Sequence, residues 1–130
     1  TGALNQHGEV LPVGGINEKI EGWFRVCEAA GLDGHQGVLI PERNRRHLML
    51  EPQILDAVDQ GLFHIYTARD AADGLELLTG VASGLTPAVP ADADTRNSPY
   101  ATNTVLGRAE QTLQDYRRAC RFLRKPAHRR

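Results

Sequence analysis

Lys19 has the clearest route to chemistry of any residue in this sequence. It lies in Leu11-Pro12-Val13-Gly14-Gly15-Ile16-Asn17-Glu18-Lys19, where a strand-like run breaks at two glycines and reopens as a helix. That order places one amine in the first helical turn, beside backbone N–H groups carrying partial positive charge. Partial burial and that charge both disfavour an ammonium ion, and a neutral amine can take a proton from an alcohol. Trp23 stands at i+4 from Lys19 and sets it at the border of the expected buried stripe. Glu18 is rotated about 100° away and need not pair with it. The competing reading is a solvated surface lysine. Gly14 and Gly15 allow close backbone approach and can help place an oxyanion or a substrate strand; a strand-to-helix turn needing positive φ is the plainer account, and both can hold.

Other reactive residue types are dispersed. His7 falls in a turn and His64 in a strand, neither with a Cys or Asp at nucleophile–base spacing, and His35, His47 and His128 read as loop or surface residues. No histidine pair has metal-ligand spacing, so no metal is expected. Cys27 and Cys120 are far apart and form no CxxC, which argues against a zinc site or a disulfide framework. No GxxxxGK[ST] phosphate-binding loop occurs. Arg43, Arg45, Arg46 and His47 form a basic cluster able to touch a neighbouring subunit or a polyanion, with a solvated segment as the plainer reading.

The elements that must position these residues follow from pattern. Thr1 to Val13 predicts a hairpin, with Ala3-Leu4 and Val10-Leu11 as arms and Asn5-Gln6-His7-Gly8 as the turn. A helix is expected from about Ile16 to Ala30, its buried stripe being Ile16, Ile20, Trp23, Cys27 and Ala30, with Glu21 and Arg25 paired on another face and Gly31 as C-cap. Gly37 to Pro41 predicts a strand buried on both faces. After the polar segment Glu42 to His47, Pro52 opens a helix whose apolar side is Ile54, Leu55, Val58 and Leu62. Phe63 to Thr67 is the next strand, and Asp70 begins a helix carrying Ala71, Leu75 and Leu78. The result is an α/β class: a β-hairpin followed by alternating helices and strands, plus a C-terminal helix. The boundaries expected are a compact part over 1–82, a mobile linker over 83–104 containing Pro87, Pro90 and Pro99, and a basic amphipathic tail helix over 105–130. Leu106, Ala109, Leu113, Tyr116, Cys120 and Leu123 fall on one side of that helix, and Lys125 to Arg130 are expected to fray.

The chain has 130 residues and a formal charge of −1, which gives no global pull toward nucleic acid or anionic membrane. From Val105 to Arg130 there are eight Lys/Arg and two Asp/Glu, a local +6, so the remainder carries −7. No apolar run approaches the roughly 20 residues that span a bilayer, and no signal peptide is seen. A reduced, cytoplasmic setting is expected. There is no initiator Met, and the chain is expected to be cut from something longer.

Thr1-Gly2, Gly8-Glu9-Val10, Pro12-Val13-Gly14-Gly15, Glu18-Lys19 and Val38-Leu39-Ile40-Pro41, followed in order by Asn44, Leu48, His64-Ile65-Tyr66 and Gly74 to Gly80, resemble the proteolytic domain of Lon proteases. The string NQHGEVLPVGGINEKIEG is most similar to the LonB-like bacterial branch, and the resemblance covers about Thr1 to Gly84. It implies the C-terminal half of that domain, a fold similar to one shared with ribosomal proteins, and peptide hydrolysis by a Ser–Lys dyad. By position Lys19 matches the catalytic lysine, the general base; Thr1 matches a threonine that orients it; Gly14 lies on the loop bordering the site. The nucleophilic serine of the family lies in a PKDGPSA-type segment upstream of Thr1, and Ser83 and Ser98 fall in no matching motif. The resemblance further implies ATP-dependent degradation of unfolded or damaged proteins, ring-shaped homo-oligomers that are commonly hexamers, and ATP with magnesium held by the parent protein, not by this segment. Two other readings remain: a non-catalytic assembly module, since the dyad is incomplete here, and a nucleic-acid-binding α/β domain, for which the basic tail speaks but no aromatic stacking platform does.

Overall fold

The computed structural model describes residues 1–85 and 99–123. The bulk of the expected linker (86–98, with Pro87, Pro90 and Ser98) and the tail beyond 123, with His128 and the expected frayed end, lie outside the described residues. The chain divides into two compact units, Thr1–Gly74 and Leu75–Arg130.

In the first unit β1 (Ala3–Leu4) and β2 (Val10–Leu11) form the hairpin, antiparallel with Ala3 opposite Leu11 and Leu4 opposite Val10. Asn5 makes its turn: the side-chain carbonyl accepts from the backbone N–H of His7 and of Glu9, and the Gly8 N–H donates to the Asn5 carbonyl. Helix α1 (Ile16–Ala30) follows, then β3 (Gly37–Pro41), a 3-10 turn (Glu42–His47), α2 (Pro52–Asp59) and β4 (His64–Ala68). β3 and β4 pair in parallel, Gly37 opposite His64 through Pro41 opposite Ala68. A parallel pair needs a long crossover, and the 3-10 turn with α2 supplies it. The hairpin joins this frame through Val10 N–H to Arg69 O (2.8 Å) and Ala71 N–H to Gly8 O (2.8 Å). Helix α3 (Ala71–Thr79) is capped by Asp70, whose carboxylate accepts from the Asp73 N–H. Among the described residues the architecture is mixed α/β, with two small two-stranded sheets.

The core is one cluster, Ile16, Ile20, Phe24 and Cys27 of α1 against Ile40, Ile54, Ala57 and Phe63. Here the buried stripe of α1 departs from expectation. Phe24 replaces Trp23 as its third member: Phe24 is 1% exposed and meets Phe63 edge to face at 5.2 Å, whereas Trp23 is 47% exposed. Trp23 instead lies along the surface and its indole N–H donates to Gly37 O at 2.9 Å. Ala30 is exposed as well. Arg25 pairs not with Glu21 but with Glu51 at 3.1 Å, because the chain before α2 brings that carboxylate within reach. On α2 only Ile54 and Ala57 are buried, and Leu55, Val58 and Leu62 are exposed. β3 buries Ile40 and Pro41 while Gly37 to Leu39 are half-buried, so it is not covered on both faces as expected. Phe63 packs just ahead of β4 rather than within it. Gly37 is obligatory for packing: an added Cβ would sit 2.6 Å from His64 O in the neighbouring strand.

In the second unit, Ser83 is 3% exposed and its N–H and hydroxyl both donate to the Glu76 carboxylate. Helix α4 (Val105–Leu123) starts from Thr104, whose hydroxyl oxygen accepts from the Gly107 N–H and donates to Ala101 O. Val105 N–H donates to Ala82 O and Leu106 N–H to Ser83 O, both at 3.0 Å. Gly107 is pressed so closely on the Ala101 carbonyl that a Cβ would collide with it. Among the described residues no helix is long and apolar enough to cross a membrane.

Candidate functional site

The segment entering α1 is fixed from two sides. Val13 N–H donates to Asn44 Oδ1 at 2.9 Å, and Asn44 Nδ2 donates to Val13 O at 3.0 Å. Asn44 is 2% exposed, so its amide reads the Val13 peptide much as a neighbouring strand would. One turn later Asn17 accepts from the Met49 N–H (2.9 Å) and donates to His47 O (3.2 Å). These two asparagines clamp both flanks of Gly14-Gly15 to the 3-10 turn and its exit. Gly15 takes φ 63 and ψ 34, a left-handed conformation that costs glycine nothing, and its carbonyl accepts the Lys19 N–H at 3.1 Å.

That geometry brings two of the three nominated residues together. Lys19 Nζ donates to Gly14 O at 3.1 Å, so the side chain folds back over the opening turn of its own helix. Thr1 is engaged elsewhere. Its backbone nitrogen donates to Leu39 O on β3 at 2.6 Å, and among the described residues no hydrogen bond joins Thr1 to Lys19. Lys19 is exposed in this chain, not partly buried as expected. The reason is the stripe. With Phe24 in place of Trp23, the centre of the buried face turns roughly 25° further from Lys19, at about 100° per residue.

Sequence reasoning gave Asn44 no role beyond its place in the motif, and Asn17 none. The signal for Asn44 was only its place three residues after Pro41, and its partner, 31 positions away, was not visible.

The remaining candidates are placed plainly. His64 Nε2 donates to Gly34 O at 2.8 Å and is part of the frame. Ser83 is buried on Glu76 and is unavailable as a nucleophile in that state. Cys27 is buried, and burial pushes its thiol above the ordinary range; Cys120 is exposed. Arg43, Arg45 and Arg46 line an open depression with Glu42, and none of the three forms a salt bridge with a described residue. Among the described residues no group of three His, Cys, Asp or Glu is gathered as a metal site.

No model of a known protein family matches the chain. Over 78 residues it is 49% identical to a putative Lon protease homolog of Escherichia coli K12, a match covering 60% of this chain and 13% of that protein. A putative Lon protease homolog of Haemophilus influenzae is 45% identical over 80 residues, 62% of this chain and 13% of the relative. The archaeal Lon protease of Halobacterium salinarum is 37% identical over 59 residues, covering 45% of this chain and 7% of its own length. The chain thus spans 13% of the length of each bacterial relative. With the ordered motifs around Gly14-Gly15 and Lys19 and these matches agreeing, about 60% of this chain is Lon-related sequence.

Proposed function

We propose that this chain forms the C-terminal part of a Lon-like proteolytic domain, a serine-type endopeptidase in which Lys19 is the general base. The observation that carries the reading is the Lys19–Gly14 hydrogen bond, which anchors the amine on the loop that the resemblance assigns to the border of the active site. In its amine form Lys19 takes the proton of a serine hydroxyl, the alkoxide attacks the scissile carbonyl, and the ammonium returns the proton to the leaving amine. The serine comes from outside this segment. So must the cover that desolvates Lys19, because the side chain is exposed here. Gly14 supports the turn, and this reading gives Thr1 the role of orienting Lys19.

The parent protein degrades unfolded or damaged proteins, works as a cytoplasmic homo-oligomeric ring and draws on ATP and magnesium held by other parts of its chain. The sequence of this segment contains no GxxxxGK[ST] motif, and this reading assigns ATP to those other parts. The test is a Lys19→Ala change in a chain that also supplies the serine, or with the upstream half added in trans. Casein hydrolysis should be abolished while the fold is kept; retained hydrolysis removes Lys19 from the dyad. A second reading, a non-catalytic assembly module, is favoured by the burial of Ser83 on Glu76 and the exposure of Lys19. Failure of the in-trans assay with both halves folded selects it.

A further inference from the structure

Gly14 and Gly15 are the loosest link between β2 and Lys19. Two successive glycines have more backbone freedom than other pairs, and the Gly14 carbonyl is the acceptor of the Lys19 amine at 3.1 Å. If that carbonyl swings, the amine follows it. The side chains of Asn44 and Asn17 restrain the swing from both ends. Asn44 Oδ1 accepts from the Val13 N–H and Asn44 Nδ2 donates to Val13 O (2.9 and 3.0 Å), immediately before the glycines. Asn17 Oδ1 accepts from the Met49 N–H and Asn17 Nδ2 donates to His47 O (2.9 and 3.2 Å), one residue past Ile16. Ile16 itself is 4% exposed, in the core. The free stretch is thereby cut to the two glycines. Both asparagines spend donor and acceptor on main-chain groups, and both tie the segment to the same strip, residues 44–49. An aliphatic side chain would fill the buried place of Asn44 without desolvating an amide. What only the amide supplies is a fixed orientation of the Val13 peptide.

We propose that Asn17 and Asn44 are positioning residues for the general base, acting on Lys19 through the Gly14 carbonyl. The proposal rests on the catalytic reading of Lys19. A neutral amine has two N–H bonds and one lone pair. With one N–H held on Gly14 O, the lone pair is directed away from that carbonyl and is free to take a proton from an arriving hydroxyl. Transfer needs the nitrogen within hydrogen-bond reach of the hydroxyl, about 2.6–3.2 Å, and a misplacement of about 1 Å costs on the order of 100-fold. A lysine on its flexible four-carbon stem does not hold such a position unaided. A lysine tied to a splinted carbonyl does.

Two measurements test it. On this chain, NMR relaxation gives amide order parameters at Gly14 and Gly15. They are expected near the rigid value of about 0.85 in the unaltered chain and below about 0.6 in Asn17→Ala and in Asn44→Ala. Asn17→Asp should fall between, because it keeps the bond from the Met49 N–H and loses the one to His47 O. In a chain that also supplies the serine, Asn17→Ala should lower kcat for peptide hydrolysis about 10- to 100-fold with KM unchanged, and Asn17→Asp should recover part of the loss. Asn17 is half-buried and outside the core cluster, and Trp23 fluorescence under the assay conditions verifies that each variant is fully folded, so a lost kcat is not a lost fold. Order parameters indifferent to both alanine changes overturn the proposal, and so does order lost at Gly14 with kcat retained. Lys19→Ala separates this inference from the reading beneath it. If Lys19→Ala stays active, the catalytic reading fails; an inactive Lys19→Ala beside a fully active Asn17→Ala refutes the positioning role alone.

Discussion

Replacing Asn44 by Ala removes both partners of the Val13 peptide and leaves its N–H and C=O without the bonds of 2.9 and 3.0 Å. An orphaned buried backbone group costs about 1–3 kcal/mol. Val13 is half-buried, so water reaches part of the loss, and a total of about 2–3 kcal/mol is expected. For a unit the size of Thr1–Gly74 that corresponds to a fall in Tm of roughly 10–20 °C. The single tryptophan, Trp23, is tied to Gly37 and reports this unit directly, so urea titration followed by its fluorescence is the assay. Asn44→Asp separates hydrogen bonding from shape. Its carboxylate can accept from the Val13 N–H but faces the Val13 carbonyl with charge, at a site only 2% exposed. Burial raises the pKa of that new carboxyl in the fold above the unfolded value of about 3.9. The variant should therefore approach the parent's stability below about pH 4, where a protonated carboxyl donates to Val13 O, and lose it as pH rises through the raised value. An Asn44→Ala loss under about 0.5 kcal/mol, or an Asn44→Asp deficit that does not change with pH, would show that the amide clamp does not hold the entry to α1.

Three further outcomes follow from the same frame. Gly15→Ala should cost about 1–2 kcal/mol because of its left-handed backbone, whereas Gly14→Ala, with no atom within 4 Å of the new methyl, should stay within about 0.5 kcal/mol in the same urea assay. Gly37→Ala should cost about 1–3 kcal/mol, as β4 must shift away from the new Cβ; a neutral result would mean that the β3–β4 spacing is looser than described. The Arg69 backbone N–H, and then its guanidinium, hold the Asp73 carboxyl below the usual carboxylate range. A lowered folded value means that Asp73 stabilises the fold above the unfolded pKa of about 3.9 and ceases to as pH falls through the lowered one. The gap in urea midpoint between parent and Asp73→Asn should be present at neutral pH and close in acid; a gap that persists in acid would assign it to packing.

Local structure was legible where one segment contains its own reasons. The limits of α1 follow from Gly15, Gly31 and the apolar period between them, and the hairpin follows from Asn5 and Gly8. What needed a distant partner was not. Trp23 and Phe24 fit the period of α1 about equally, being three or four residues from both Ile20 and Cys27, and only Phe63 decides between them. The exposure of Lys19 follows from that same choice. The parallel pairing of β3 with β4 is likewise invisible to periodicity, which says that a strand exists but not beside which other. At the site, the Gly14–Lys19 turn could be read because it spans five residues, while the Asn44 clamp spans 31.

The collar around the start of α4 has a mechanical consequence. Thr104, the carbonyls of Ala82 and Ser83, and the tight seat of Gly107 fix both where that helix begins and its phase about its own axis. The helix cannot spin on its mount. Which azimuth Leu113 and Tyr116 face is therefore decided near residues 82–84 and 101–107, well before those side chains are reached. One residue inserted just after Gly107 would rotate everything beyond it by about 100° and aim them elsewhere, with every helical bond still intact.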